Sequence, residues 1–267
     1  MLKIITPCFL LFLLIACNDS SNEPPEQTDS EYIKEVLSTA QSKLDIPNNQ
    51  IVEHYQILLL GNSHVQSLAS MISRLIEVRF PEKQVSASSA LGVYYLSERI
   101  EDRASVERLV NTPWTHVILQ AQKYSASGAF TYPTDAAVSW IQLAKTQNTT
   151  PILFPEHPRF GNKTEGLQVY QIHQGIAEIE PACVGPIGLA WDRAIMLYPE
   201  LSLHQSDGNH ANIAGKLLTA FIFYQIITGE SADALPYIAA IDVNEATQDL
   251  LGQVASFALE QTPACDY

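Results

Sequence analysis

The stretch HYQILLLGNSHVQSLASMISRLIEVRF, residues 54–80, decides how the chain folds. Four apolar residues, 57–60, stop at Gly61-Asn62-Ser63-His64, and Leu68, Met71, Ile72, Leu75 and Val78 then recur at helical spacing. A short apolar run, a glycine turn and an amphipathic pattern predict a buried strand that hands over to a helix at residues 65–80. Ser63 stands at the junction, where the first backbone N–H groups of a helix lack partners within it. Two roles fit such a serine: an ordinary helix cap, or a hydroxyl displayed beside anion-binding N–H groups. The segment alone supports either.

Outward from this unit the alternation continues. Residues 31–43 read as a leading helix, and KQVSASSA, 83–90, as a second strand ending at Leu91-Gly92. Helical sequence at 94–110 precedes WTHVILQAQ, whose third strand spans 115–120. A helix at 135–146, a strand in TPILFPEHP and a helix at 166–179 follow, then a short strand near ACVGPIG and a helix at 189–197. HQSDGNHANIAGKLLTAFIFYQIITG, 204–229, sets a polar loop before a long apolar helix, and a last helical stretch ends the chain. Strands alternating with helices predict an α/β fold, a three-layer α/β/α sandwich around a central parallel sheet.

The chain opens with MLKIITPCFLLFLLIAC, an apolar run too short for a typical spanning helix, which reads as an export signal over residues 1–16. Its Leu-Ile-Ala-Cys ending resembles the lipobox of bacterial lipoprotein signals. That resemblance implies a lipid on Cys17 and a domain held outside the cytoplasm at the cell envelope, at the outer membrane or in the periplasm. Residues 17–31 are polar and acidic and are expected to form a flexible tether. The folded domain is then 32–267, enough for one core. A formal net charge of −14 with no cluster of cations argues against nucleic-acid binding, which needs a basic surface. With Cys8 in the signal and Cys17 assigned to lipid, Cys183 and Cys265 are candidates for a disulfide. No Cys-x-x-Cys or paired-histidine motif points to a metal, and no cofactor is expected.

The polar oddities fall at the expected strand ends, where ligand sites of such sheets lie. Serine is a weak nucleophile until a base takes its proton, and a carboxylate that fixes the base's tautomer completes the device. Asp207-Gly208-Asn209-His210 offers carboxylate and imidazole from one turn.

The ordered set of Gly61-Asn62-Ser63, Gly92, an amide after the third strand and Asp207-x-x-His210 resembles the SGNH/GDSL hydrolase superfamily. LLLGNSH, VILQAQ and SDGNHANIAGKLLTA look most like its subgroup carrying Gly-Asn-Ser and Leu-Gln. The resemblance implies the flavodoxin-like SGNH-hydrolase fold and serine esterase activity on carboxylic esters, carbohydrate or lipid. It implies Ser63 as nucleophile, His210 as base and Asp207 as its partner. The oxyanion hole would combine the backbone N–H groups of Ser63 and Gly92 with a side-chain amide. Two departures stand out. Asn62 replaces the commoner aspartate as a turn former, and Gln120-Ala121-Gln122 replaces Gly-x-Asn-Asp. Gln120, with Gln122 as alternative, is therefore the expected amide donor.

Asn62, His157 and His204 are further candidates to line a substrate cleft, with Glu156 beside His157. His64 is adjacent to the serine and is expected to point away from it. Trp114, Trp140 and Trp191 are expected in the core. The rival expectation is a non-catalytic binding or structural protein of the envelope that keeps this fold.

Overall fold

The computed structural model describes residues 27–90, 92 and 94–267, so the expected signal and Cys17 lie outside the described residues. Five parallel strands form one sheet: β1 (His54–Leu60), β2 (Gln84–Ser89), β3 (His116–Gln120), β4 (Thr150–Phe154) and β5 (Cys183–Val184), in the order β2-β1-β3-β4-β5. Leu60 lies opposite Leu119, and Gln120 opposite Phe154, so the chain leaves β1, β3 and β4 at nearly one level.

Period-two alternation divides the strand side chains between two cores. Tyr55, Ile57, Leu59, Ile118, Ile152 and Phe154 face α2 (Leu68–Arg79), α7 (Ile187–Leu197), α8 (Ile213–Thr228) and α9 (Glu245–Gln261). Leu58, Leu60, Val117, Leu119 and Leu153 face α1 (Asp29–Thr39), α3 (Leu96–Arg99), α4 (Arg103–Val110), α5 (Asp135–Thr146) and α6 (Glu165–Ile179). The three layers expected from the sequence are present. Helix α8 is apolar all round because α2 and α9 both pack on it. Trp140 and Trp191 are fully buried, one in each core, and each such side chain contributes roughly 2–3 kcal/mol of burial.

Several boundaries differ from the sequence reading. The helix expected from residue 65 begins at Leu68, because Ser67 takes a left-handed conformation (φ 68°) that ends a separate 3-10 turn, Ser63–Val65. Helix α1 begins at Asp29, inside the expected tether, since Thr28 and Glu31 form a reciprocal capping box. The helix expected at 94–110 is two, α3 and α4, with the Asp102 carboxylate capping the second through Ser105 N. The fourth strand ends at Phe154, before Pro155, which has no N–H for the ladder.

The expected disulfide is present. Cys183 and Cys265 are bonded with Cα atoms 4.3 Å apart, and Val184 N donates to Ala264 O at 2.7 Å, fastening the C-terminus to the edge strand. No helix among the described residues is long and apolar enough to cross a membrane.

Candidate active site

Ser63 opens the 3-10 turn beyond β1, and Asn62 caps that turn by accepting His64 N at 3.1 Å on its side-chain oxygen. Ser63 is therefore not the cap of α2. The second half of the site hangs on a loop pinched by an antiparallel bridge between His204 and Ala211. Gln205 N donates to His210 O at 2.7 Å, and Gly208 turns the chain at φ 69°. Asp207 Oδ1 accepts Asn209 N and His210 N, each at 2.9 Å, a local turn that aspartate favours. Asn212 then caps α8 through Gly215 N at 3.0 Å, so the loop is anchored at its exit.

These two loops meet. Ser63 Oγ lies 2.9 Å from His210 Nε2, and His210 Nδ1 lies 2.5 Å from Asp207 Oδ2. The carboxylate can only accept, so Nδ1 carries the proton and Nε2 presents its lone pair to the serine hydroxyl. The His210 side chain first, then the backbone N–H groups of His210 and Asn209, hold the Asp207 carboxyl well below the usual carboxylate range. Ser63 and His210 open on a cavity of about 470 Å³ whose wall includes Asn62, Tyr95, Lys123, Tyr132 and Arg159. Among the described residues, no group of three or more His, Cys, Asp or Glu side chains could hold a metal ion.

Gly92 has a left-handed φ of 83° and its carbonyl accepts Arg99 Nη2 at 3.0 Å. The same nitrogen donates to Gly61 O at 2.6 Å, and Arg99 Nη1 to Ser105 Oγ at 3.2 Å. One fully buried guanidinium thus ties the Ser63 turn to the Gly92 loop. No motif flags this arginine in the sequence, where it stands in an ordinary helical LSER.

The amide expected in the oxyanion hole is elsewhere. Gln120 is fully buried; its Oε1 accepts Asn62 N at 2.7 Å and its Nε2 donates to Glu156 Oε1 at 2.5 Å. Gln122 lines the cavity, but its Nε2 donates both hydrogens to carbonyls, those of Lys123 and Pro133, each at 3.0 Å. The cause is Ala121, which takes φ 76°, a value that glycine adopts readily and alanine rarely. It turns the chain so that the two glutamines diverge, one under the Ser63 turn and one into the loop before α5.

His157 and His204 are not in the cavity wall either. His157 stacks on Trp191 with centroids 3.9 Å apart, and its Nε2 donates to Asn209 O at 3.0 Å. Burial holds its pKa down to about 3, so it stays neutral behind the loop that carries His210. His204 donates Nε2 to Pro158 O at 2.8 Å and packs edge-on against Trp191. Both support the loop carrying His210. Asn62 does line the cavity, as does Glu156, whose carboxyl burial pushes up. His64 directs Nε2 at Glu156 and lies face to face with His210, centroids 5.2 Å apart.

No protein-family model and no curated protein matches the chain. Solved structures do. A DUF4886-family protein of Bacteroides uniformis superposes with a TM-score of 0.64 at 14% identity, over 80% of this chain and 97% of its own. A protein of Slackia heliotrinireducens assigned to the SGNH hydrolases superposes with a TM-score of 0.51 at 20% identity, over 65% of this chain and 99% of its own. At such identities the likeness speaks to architecture, and with the parallel sheet and helical layers described above, the chain has the fold of the SGNH hydrolases.

Proposed function

We propose that the protein is a serine esterase that hydrolyses carboxylic esters through an acyl-enzyme. The observation that carries this reading is the linked pair of contacts from Ser63 Oγ to His210 Nε2 and from His210 Nδ1 to Asp207 Oδ2, at the mouth of an open cavity. Ser63 Oγ adds to the ester carbonyl while His210 Nε2 takes its proton, and Asp207 stabilises the imidazolium. Backbone N–H groups of Ser63 and Gly92 receive the developing oxyanion. The imidazolium returns its proton to the alcohol as the C–O bond breaks. Water, deprotonated by His210, then adds to the acyl carbon and Ser63 leaves as the free hydroxyl.

The mostly polar cavity wall favours a short acyl group, such as acetyl on a carbohydrate, over a long-chain lipid ester. Half-exposed Tyr95 and Tyr132 offer faces for a ring-bearing alcohol. We place the domain at the cell envelope, anchored through Cys17. A fluorophosphonate probe tests the central reading: it should label the wild type and leave Ser63→Ala unlabelled. An unlabelled wild type would instead support the non-catalytic envelope protein. A p-nitrophenyl ester series of rising chain length tests the acyl preference.

A further inference from the structure

Four residues beside Ser63 form a polar ring of three hydrogen-bonded links and one longer contact. Asn62 N–H donates to Gln120 Oε1 at 2.7 Å, and Gln120 Nε2 donates to Glu156 Oε1 at 2.5 Å. Glu156 Oε2 lies 3.9 Å from His64 Nε2, and His64 Nδ1 lies 3.0 Å from Asn62 Oδ1. Donor and acceptor roles are set by the chain itself. Asn62 N can only donate, so the Gln120 oxygen faces it; Asn62 Oδ1 already accepts His64 N at 3.1 Å, so His64 Nδ1 carries the hydrogen. A Cβ at Gly61 would fall 2.3 Å from Gln120 Oε1. Glycine is needed there so that the amide can reach beneath the turn.

The ring holds the two neighbours of Ser63, Asn62 before it and His64 after it, and presses the His64 ring along the face of His210. The only carboxylate in the ring is Glu156, on the segment after β4. Its side chain is 12% exposed. Keeping a carboxylate this poorly solvated is costly unless its oxygens are used.

We propose that Glu156 is a positioning residue for the nucleophile: acting through Gln120, it fixes the Ser63 turn so that Oγ meets His210 and the Ser63 N–H faces the cavity. The proposal rests on the esterase reading. It gives Gln120 a different task from an oxyanion donor, since its amide orients the backbone that supplies the donor.

The test compares kcat and KM for p-nitrophenyl acetate, and the rate of fluorophosphonate labelling, in the full-length protein and its variants. Glu156→Ala should lower kcat and the labelling rate about 10-fold to 100-fold, as expected for a small misplacement of reacting groups, with KM within about twofold. Glu156→Gln keeps an oxygen for Gln120 Nε2 and should recover most of the loss. Gln120→Met, close in volume and unable to make either bond, should match Glu156→Ala, and the double variant should be no worse than either single one. Wild-type kcat in Gln120→Met, a rise in KM that carries the loss, additive losses in the double variant, or no recovery in Glu156→Gln each overturns the proposal. Should Glu156→Ala fail to fold, Gln120→Met and Glu156→Gln still decide. A wild type that does not label overturns the esterase reading itself; a labelled wild type matched by equally fast variants overturns only the role of Glu156.

Discussion

Arg99 donates from Nη2 to the Gly92 carbonyl at 3.0 Å, deep in the protein, and the same nitrogen reaches Gly61 O at 2.6 Å. The two loops that carry the proposed oxyanion donors are therefore spaced by one planar, permanently charged group. Arg99→Lys keeps the charge but loses the fork. It should destabilise the protein by roughly 2–4 kcal/mol, since buried acceptors lose their donors. It should also lower kcat. Urea unfolding together with p-nitrophenyl acetate kinetics checks both, and unchanged values would show that the loops hold their spacing without the guanidinium.

Ser63→Ala and His210→Ala should each remove nearly all turnover, and the double variant should add little, because nucleophile and base act as one unit. Asp207→Asn should cost about 100-fold to 10⁴-fold by presenting the wrong tautomer of His210. Steady-state kinetics with a short-chain ester, alongside circular dichroism to confirm folding, provides the readout. Near-normal turnover in His210→Ala would assign the base elsewhere.

Gln122 commits both amide hydrogens to the loop before α5. Gln122→Ala should keep kcat within about threefold of wild type, whereas loss of a true oxyanion donor costs about 100-fold to 1000-fold. A loss in that larger range would return Gln122 to the hole.

The Cys183–Cys265 bond closes a span of 82 residues. In a chain-entropy account such a crosslink contributes about 4 kcal/mol. Paired Ser substitution should lower stability by up to about that amount and free the C-terminal segment to proteolysis, with esterase activity retained, because the bond lies far along the sheet from Ser63. Limited proteolysis and denaturant titration measure both effects.

Asp192 on α7 is partly buried with Glu165 beside it, and burial first, then that charge, raises its pKa from 3.8 to about 6. An acid whose folded pKa is raised is stabilising while protonated and loses that contribution as pH rises from about 4 through about 6. Asp192→Asn should therefore raise the melting temperature at pH 7.5 and leave it nearly unchanged at pH 4. Equal shifts at both pH values would exclude the carboxyl's ionisation as the cause.

The fold and the triad were written in local patterns. Runs such as 57–60 and 117–119 must be buried wherever they occur, and their alternation with amphipathic segments leaves few arrangements besides a covered parallel sheet. Ser63, Asp207 and His210 were visible because each sits in a short turn with its own hydrogen-bonding logic, and their order resembles that of a known family. What the sequence could not say was where a side chain goes once the backbone bends against propensity. Ser67 and Ala121 both take left-handed conformations that their residue types disfavour. The first shifts the start of α2 and leaves Ser63 on a turn of its own; the second sends Gln120 beneath that turn and Gln122 away from it. At Ala121 the bend comes with a tertiary contact, its carbonyl accepting Leu96 N at 3.1 Å, a partner 25 residues earlier in the chain. Arg99 and the Glu156 ring are hidden for the same reason: their partners lie 38 and 36 residues away, at Gly61 and Gln120, and only the closed sheet brings them within hydrogen-bond reach.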